Sequence, residues 1–267
     1  VWAAGSITAQ PNIVFILADD LGWRDLRCYG NPWHDTPNLD RLAREGTRFT
    51  QGYAAAPICS ASRAALLTGR SPARLGFEFV TKLPTAKRPT GHLLTGPPYP
   101  LNLPLSEVTL GEVLGGVGYA TGYFGKWHVS EPSGGYLGWS ATHGPLQQGY
   151  AVGAGTFGSH PYSYVATPSD KTALLPAGHY GTDALTDRAI GFLKQRRTVP
   201  FFLHLAHYYV HDPVHTRAPW LLDKYTARMP AGADPQRAAY AAMVETLDHL
   251  VGRVLTAAPN PKALKPA

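Results

Sequence analysis

The sequence predicts an α/β fold in which helices flank a mostly parallel central sheet. Segments with the pattern of strands alternate along the chain with segments with the pattern of helices, and this order is typical of layered α/β proteins. With 267 residues, 44% of them hydrophobic and 16% charged, the chain is long and apolar enough to bury a substantial core. The same composition excludes a disordered protein.

Three apolar segments are the candidate strands. Residues 12–18 form a continuous apolar run of strand length, which favours a strand buried on both faces of the sheet. Residues 120–126 form the second candidate strand, and the aromatic-rich residues 201–209 form the third.

Start and stop residues mark the helices between these strands. Residues 40–45 follow the start signal Pro37, and Gly46 closes them. The other predicted helices lie at residues 110–114, at the amphipathic segment 183–195, and at a segment opened by Asp234-Pro235 that runs to about residue 255.

Two long segments interrupt the alternation. Residues 82–104 are dense in Pro, Gly and Thr, and residues 131–181 are rich in Gly, Tyr, Ser and His. Long loops in compact domains are usually functional or disordered. Two interpretations stay equally open, namely walls that contact a substrate and exposed insertions without a role.

The segment Cys59-Ser60-Ala61-Ser62-Arg63 places one of the two cysteines at the start of a predicted helix. The unpaired N–H groups of a helix start favour an anion. Ser60 is the predicted cap, and Gly69 is the left-handed residue that commonly ends a helix. Arg63 lies one turn after Cys59, so a nucleophile and a cation would face the same anion. A cysteine of this kind, taken by itself, is more often buried and inert. The neighbouring motifs nevertheless favour the interpretation of Cys59 as the precursor of a nucleophile.

This segment resembles the sulfatase signature Cys/Ser-x-Pro/Ala-x-Arg, in which the cysteine is oxidised to formylglycine after translation. The surrounding motifs follow the order that sulfatases show, and the resemblance runs from about residue 11 to about residue 255. It implies an alkaline-phosphatase-like layered fold and the hydrolysis of aryl or carbohydrate sulfate esters by formylglycine derived from Cys59. The motifs are Thr36-Pro37-Asn38-Leu39-Asp40-Arg41-Leu42-Ala43, Leu67-Thr68-Gly69-Arg70 and Gly125-Lys126-Trp127-His128.

The resemblance also implies roles for individual residues. Lys126 would orient the sulfate and the formylglycine hydrate, and His128 would act as a base. Arg63 would activate the nucleophile and hold charge on the sulfate oxygens. His211 would contact the sulfate or protonate the leaving oxygen. The spacing of Lys126 and His128 on a predicted strand puts their side chains on one face, while Trp127 is predicted to pack in the core.

Asp19 and Asp20 end the first predicted strand, at the edge where ligands gather in open α/β sheets. Two adjacent carboxylates repel unless a cation or a proton lies between them. The resemblance implies a divalent metal, Ca²⁺ with Mg²⁺ as the alternative, bound by both aspartates and by the modified Cys59. The other interpretation is an ordinary strand exit with one capping and one solvated carboxylate.

His204, His207, His211 and His215 form a histidine-rich run, and its last three members are four residues apart. That spacing shares a face only on a helix, whereas the neighbouring aromatic residues favour a strand and Pro213 opposes a helix. Zinc is therefore the weaker interpretation of this run.

The formal net charge of +6 suits anionic substrates, and would equally suit weak attraction to nucleic acid or membrane surfaces. The basic residues are scattered, so no nucleic-acid partner is predicted. No apolar run reaches the length of a membrane span. Residues 1–10 are small and apolar, as at the end of a secretory signal or in a plain leader, and we expect a periplasmic or secreted location.

The predicted organisation is a leader at residues 1–10, a catalytic domain at 11–256 and a tail at 257–267. Sulfatases carry, after the helix that corresponds to residues 234–255, a further strand whose Asp-Asn pair completes the metal site, and the tail has no strand pattern. The chain is therefore expected to be the amino-terminal part of a sulfatase, truncated at its carboxyl end.

Three alternatives stay open for this truncated chain. It could require a carboxyl-terminal fragment or a partner chain, it could be an inactive homologue, or it could hydrolyse phosphonate or phosphate esters in the same superfamily. A formylglycine-generating enzyme is the expected partner during maturation.

Overall fold

The computed structural model describes residues 10–81, 99–155, 162, 164, 173–181 and 183–258. The strands in these residues are β1 (Ile13–Leu17), β2 (Ala120–Gly125), β3 (Val152–Ala154) and β4 (Phe201–Ala206). They form one sheet in the order β1-β4-β2-β3, and every pair of neighbours is parallel. The predicted parallel α/β architecture is therefore confirmed. Most of the predicted leader and tail lies outside the described residues, so the domain boundaries stay predictions.

Five of the seven α-helices in the described residues begin and end close to the predicted residues, and the other two were not predicted. The helix predicted at Cys59 and the helices predicted from residues 40, 110, 183 and 234 are all confirmed. Asp183 and Asp234 cap two of them, since each carboxylate accepts the backbone N–H two residues further on, at 2.8 and 2.9 Å. The helices are α1 (Pro37–Glu45), α2 (Cys59–Thr68), α3 (Pro72–Leu75), α4 (Leu110–Gly116), α5 (Ala184–Leu193), α6 (Pro219–Thr226) and α7 (Pro235–Ala257).

The two faces of the sheet pack against different helices. On one face, Ile13, Phe15 and Leu17 of β1 pack with apolar residues of α2. On the other face, Val14 and Ile16 pack with apolar residues of α5 and α7. Successive side chains of a strand point to opposite faces, so the continuous apolar run of β1 covers both layers of the core.

β1 nevertheless is only half-buried along its whole length, because it lies at the edge of the described sheet. One of its edges pairs with β4, from Ile13 opposite Phe202 to Leu17 opposite Ala206. No strand among the described residues pairs with its other edge. The sequence pattern correctly predicted apolar contacts on both faces, but it predicted full burial where the strand is half-buried, because it carried no information on the position of the strand within the sheet.

β2 ends one residue earlier and β4 three residues earlier than the sequence predicted. Gly125, the last residue of β2, has a φ of +111°, and a Cβ there would lie 1.9 Å from the carbonyl oxygen of Ala206. Only glycine therefore lets the chain leave the sheet at this point.

The structure also contains a strand that the sequence did not predict. β3 lies within residues 131–181, which were predicted to be a loop, and pairs with β2. Its three residues, Val152, Gly153 and Ala154, are too few and too small to show a strand pattern. Most of the other predicted loop, at residues 82–98, lies outside the described residues.

α7 is hydrogen-bonded to the start of α1. Asp248 on this helix accepts the backbone N–H groups of Asn38 and Leu39 at 3.1 and 2.8 Å, and so caps the start of α1 from another helix. Although α7 has 23 residues, neither it nor any other helix in the described parts of the chain has the length and apolarity needed to cross a membrane.

His204 of β4 is buried within the sheet between the rings of Phe15 and Tyr123. Its Nδ1 shares a hydrogen bond of 3.0 Å with the hydroxyl of Tyr150. Burial lowers the pKa of this imidazole from 6.5 to about 3, and the charge of Arg63 acts in the same direction. His204 is therefore neutral at physiological pH.

We predict that His204 makes the fold sensitive to acid. Because its pKa is lower in the folded protein than in the unfolded chain, unfolding takes up a proton. The stability that the neutral ring provides is complete above pH 6.5 and is lost as the pH falls toward about 3. The substitution His204→Gln should reduce the slope of the unfolding free energy against pH by about 1.4 kcal/mol per pH unit in this range. Urea denaturation at several pH values measures the slope, and equal slopes in both proteins would contradict the prediction.

Candidate active site

Residues that follow three neighbouring strands meet at one edge of the sheet. Asp19 comes after β1, Lys126 directly after β2, and His211 in the loop after β4, while Cys59 is the first residue of α2. The carboxyl ends of parallel strands share an edge, so the order of the strands brings these side chains together. The backbone N–H of Lys126 donates to the carbonyl of Ala206 at 2.9 Å, which ties the exit of β2 to the end of β4.

Asp19 is the buried centre of charge in this site. Its Oδ1 accepts from Nη2 of Arg63 at 3.0 Å, and its Oδ2 accepts from Nζ of Lys126 at 2.6 Å. The three side chains are at most 5% exposed. Burial alone would raise the pKa of Asp19, but the two cations outweigh it, so the pKa lies below the usual value. The carboxylate likewise raises the pKa of Arg63, against the effect of burial.

Lys126 connects this carboxylate to the thiol of Cys59. Its Nζ lies 3.3 Å from Sγ of Cys59 and 2.7 Å from the hydroxyl oxygen of Tyr162. Its backbone carbonyl accepts from Nη1 of Arg63 and from the hydroxyl of Tyr123, both at 2.6 Å. Burial raises the pKa of Tyr123 to about 12, so its hydroxyl stays protonated and donates. Both ends of Lys126 are therefore held in place.

The thiol of Cys59 lies at a helix start and beside cations, where a negative charge is stabilised. Burial would raise the pKa of Cys59, but the hydrogen bond with His211 and the charge of Lys126 outweigh it and lower the pKa. For His211 the balance is reversed. Burial would lower its pKa, but the hydrogen bonds with Cys59 and with the carbonyl of Asp212 raise it. The pair therefore favours an anion at position 59 next to a protonated imidazole.

The structure corrects the prediction that Ser60 caps α2. Ile58 is the N-cap residue, and no side chain caps this helix start. The hydroxyl of Ser60 instead donates to the carbonyl of His128 at 2.6 Å and accepts the N–H of Thr81 at 3.0 Å. Ser60 thus joins the start of α2 to the loop after β2. The predicted end of the helix at Gly69 is confirmed by a left-handed φ of +68°.

The prediction that Lys126 and His128 share one face of a strand was wrong. β2 ends at Gly125, and His128 has a positive φ of +56°, so the alternation of side chains along a strand does not apply to them. Both side chains are buried in the loop after β2. Trp127 between them packs in the core, as predicted.

His128 is held as a neutral ring with a defined tautomer. Its Nε2 lies 3.1 Å from the carbonyl oxygen of Thr81. Because a carbonyl oxygen can only accept, Nε2 carries the hydrogen and Nδ1 carries the lone pair. Nδ1 has no hydrogen-bond partner among the described residues. Burial lowers the pKa of His128 to about 3, and the charges of Lys126 and Arg63 act in the same direction.

The candidate metal ligands form two groups that share His211. Asp19, Cys59 and His211 place their ligand atoms within 4.8 Å of one another, and so do Asp20, His211 and Asp212. Asp20 is a residue with a positive φ of +58°, its side chain is 54% exposed, and its Oδ2 lies 3.6 Å from Nε2 of His211. The structure therefore brings the three predicted ligands around one histidine, with Asp19 facing inward and Asp20 facing outward.

The donor chemistry of this set fits a hard divalent cation in part. Carboxylate oxygens are suitable ligands for Ca²⁺ and Mg²⁺, and a carboxylate that accepts two hydrogen bonds keeps further lone pairs. A thiol is a soft ligand and suits neither ion, so an oxygen at position 59 would fit better than the sulfur of Cys59. Ca²⁺ takes roughly six to eight oxygen ligands, and Asp19 and Asp20 provide only part of such a shell.

The histidine-rich run is spread over the structure rather than gathered in one place. His204 lies inside the sheet, and His207 is buried with its Nδ1 3.2 Å from Oδ2 of Asp183. His211 is part of the site, whereas Nε2 of His215 lies 3.3 Å from the carbonyl oxygen of Tyr162.

Tyr162 belongs to this site, and no sequence pattern identified it. Its ring stacks on His211 with a centroid distance of 4.1 Å and an interplanar angle of 4°. For the stretch that contains it, the sequence left open either a wall that contacts a substrate or an exposed insertion. Nothing in the sequence distinguishes Tyr162 from its neighbours, because its role depends on the meeting of distant segments.

Known proteins resemble this chain over most of its length. A family model described as Sulfatase matches residues 11–266. N-acetylgalactosamine-6-sulfatase of Homo sapiens is 35% identical over an alignment of 271 positions, which covers 94% of this chain and 47% of that protein. Arylsulfatase A of Homo sapiens is 43% identical over 176 residues, which cover 65% of this chain and 30% of that protein. The chain thus spans about half the length, or less, of these relatives.

Solved structures agree with the architecture. The crystal structure of Ps i-CgsB in complex with k-i-k-neocarrahexaose matches with a TM-score of 0.68 and 31% identity, over 92% of this chain and 54% of that chain. Phosphonate monoester hydrolase of Agrobacterium radiobacter matches with a TM-score of 0.62 over 93% of this chain and 59% of that chain. Because the identity is only 18%, this match shows a shared fold and nothing more. The predicted alkaline-phosphatase-like fold is confirmed.

We predict that the two adjacent aspartates differ sharply in their effect on stability. Asp19→Asn removes the charge that compensates two buried cations and should lower the unfolding free energy by about 3 kcal/mol or more. Asp20→Asn alters an exposed side chain, and asparagine tolerates its positive φ, so the loss should stay below about 1 kcal/mol. Urea denaturation without added metal measures both, and similar losses in the two variants would contradict the prediction.

Proposed function

Because the chain belongs to the sulfatase family, we propose that it hydrolyses sulfate esters of aryl compounds or carbohydrates, with formylglycine at position 59. The observation that carries this proposal is the position of the Cys59 sulfur, at the start of α2 and 3.3 Å from Nζ of Lys126. A nucleophile derived from this residue would lie next to a fixed cation. The names of the relatives include both an arylsulfatase and a sugar sulfatase, which supports these two substrate classes.

The charges around position 59 suit an anionic substrate. Arg63 and Lys126 bring two positive charges, and Asp19 offsets one of them. These three buried side chains therefore carry one positive charge in excess, beside the N–H groups at the start of α2 and without counting the exposed carboxylate of Asp20. Such fixed charges stabilise the charge that develops on sulfate oxygens during the reaction, because they need no reorganisation.

Two groups that the family implies would complete the chemistry. Formylglycine, made from Cys59 by a formylglycine-generating enzyme, would supply as its hydrate two hydroxyl groups on one carbon, one for attack on sulfur and one for the release of sulfate. A divalent cation, Ca²⁺ with Mg²⁺ as the alternative, would be held by Asp19 and Asp20 and would supply Lewis-acid stabilisation of the sulfate oxygens.

The two histidines are suited to opposite proton transfers. His211 has a raised pKa and lies beside Cys59, so we assign to it the donation of a proton to the leaving oxygen. His128 is neutral and its Nδ1 carries a lone pair, so we assign to it the role of the base. A bound sulfate would raise the pKa of His128, because a nearby anion favours the protonated imidazole.

Phosphate or phosphonate ester hydrolysis is the alternative for the same site. A tetrahedral phosphoryl group needs cations and proton donors similar to those that a sulfate needs. Matched esters with one leaving group separate the two activities, because they differ only in the transferred group.

The first test of the proposal concerns Cys59. The chain is produced together with a formylglycine-generating enzyme, and peptide mass spectrometry should show the mass loss expected when an aldehyde replaces the thiol. Hydrolysis of 4-nitrophenyl sulfate should exceed that of 4-nitrophenyl phosphate. The substitution Cys59→Ala should lower kcat/KM for the sulfate by about a thousandfold or more.

Cys28→Ala is the matched control, because Cys28 is the other free cysteine and is bonded through its backbone to Asp40. It should leave the hydrolysis of the sulfate ester unchanged. Modified protein that hydrolyses neither ester would contradict the proposal for this chain, and a preference for the phosphate ester would support the alternative.

A second test concerns the metal. Ca²⁺ binding to the folded chain should raise its melting temperature, and at a concentration a hundred times the Kd the added stability should be about 2.7 kcal/mol. Asp20→Asn should remove most of this effect without lowering the starting stability much. Asp187→Asn is the control, since Asp187 pairs with Arg253 at the surface. A wild-type melting temperature that does not respond to Ca²⁺ or Mg²⁺ would contradict the metal assignment.

A further inference from the structure

Tyr162 contacts two residues that reach the site from different strands. It is 4% exposed. Its hydroxyl oxygen lies 2.7 Å from Nζ of Lys126, and its ring stacks on the imidazole of His211 at 4.1 Å. Lys126 follows β2, and His211 lies in the loop after β4. One side chain therefore bridges the cation and the proton donor of the site.

The contact with Lys126 completes the hydrogen bonds of the ammonium group. An ammonium has three donors, and those of Lys126 meet Asp19 at 2.6 Å, Tyr162 at 2.7 Å and Cys59 at 3.3 Å. Because all three directions are taken, the position of Nζ is determined. Without the hydroxyl of Tyr162, one donor of a fully buried cation would lose its acceptor.

The contact with His211 sets the plane of its imidazole. The two rings are parallel to within 4°, and Nδ1 of His211 lies 2.7 Å from the carbonyl oxygen of Asp212. The carbonyl can only accept, so Nδ1 carries a hydrogen there. With Nδ1 used in this way, Nε2 is the ring nitrogen available to a bound group, and it lies 3.6 Å from Oδ2 of Asp20.

We infer that Tyr162 is a positioning residue, whose hydroxyl holds the charged Nζ of Lys126 beside position 59, where the anion would bind, and whose ring sets His211 toward the leaving oxygen. This inference rests on the function proposed above and deepens it. It assigns two separable effects to one side chain, one on the binding of the sulfate group and one on proton transfer to the leaving group.

Two substitutions separate the effects. Tyr162→Phe keeps the ring and removes the hydroxyl, so it should raise the KM for aryl sulfates and the Kd for inorganic sulfate by about tenfold. This loss should be the same for good and poor leaving groups. Tyr162→Leu also removes the stack, so kcat should fall about tenfold more for phenyl sulfate than for 4-nitrophenyl sulfate, because a poor leaving group depends more on the proton.

Tyr180 provides a matched control with the same two kinds of contact. Its ring stacks on His249 at 4.1 Å and 7°, and its hydroxyl donates to Glu245 at 2.7 Å. Tyr180→Phe and Tyr180→Leu therefore remove similar contacts from the packing between residue 180 and α7. Neither should change the sulfate Kd or the dependence of kcat on the leaving group, even where it lowers the melting temperature.

The measurements are steady-state hydrolysis of the aryl sulfate series and calorimetric titration with sodium sulfate, on the full chain. Inorganic sulfate binding needs no turnover, so it tests the contact with Lys126 even if the chain hydrolyses no ester. If the wild-type chain binds sulfate but hydrolyses no ester, that result would count against the proposed function and not against the positioning role of Tyr162. A Tyr162→Phe variant with the wild-type sulfate Kd, a Tyr162→Leu variant with equal losses for both leaving groups, or a wild-type chain that binds no sulfate would overturn the inference.

Discussion

The carboxylate of Asp19 makes it possible to bury two cations at one point of this protein. Lys126 and Arg63 are almost completely excluded from water and donate to its two oxygens. Removing ions from water costs several kcal/mol each, which only close and well-bonded partners offset. The backbone of Asp19 also forms two hydrogen bonds: its N–H donates to the carbonyl of Tyr209, and its carbonyl accepts from the N–H of Val210. One residue thus joins the charges of the site to the ends of β1 and β4.

The remaining geometry follows from how the chain leaves each strand. Gly125 allows a sharp exit from β2 against the carbonyl of Ala206, and Arg63 and Tyr123 then hold the carbonyl of Lys126. Ser60 ties the start of α2 to His128. These are hydrogen bonds and close contacts between segments far apart in the sequence. These contacts hold the charged side chains in place at the ends of the parallel strands.

The environment separates the two histidines of the site by their pKa values. His128 is buried, near Lys126 and Arg63, and its pKa falls to about 3. His211 is less buried, and its pKa rises because it is hydrogen-bonded to Cys59 and to the carbonyl of Asp212. Pairs of titratable groups whose environments push their pKa values apart are typical of acid and base partners. Burial and contacts, by contrast, distinguish the two aspartates: Asp19 pairs with buried cations, whereas the side chain of Asp20 is exposed.

The sequence by itself determined the layered α/β class, the ends of the predicted helices, and most of the residues that meet at the site. Apolar runs, Pro37, Asp183 and Gly69 act within a few neighbouring residues, so their effect can be predicted locally. The sequence did not determine the edge position of β1, the short strand β3, the end of β2 before Lys126, or the role of Ser60. Only the tertiary structure places Tyr162 in contact with Lys126 and His211. It likewise places the cations of Arg63 and Lys126 in contact with Asp19. Those contacts join residues tens of positions apart, and their energies exist only after the strands have aligned their carboxyl ends.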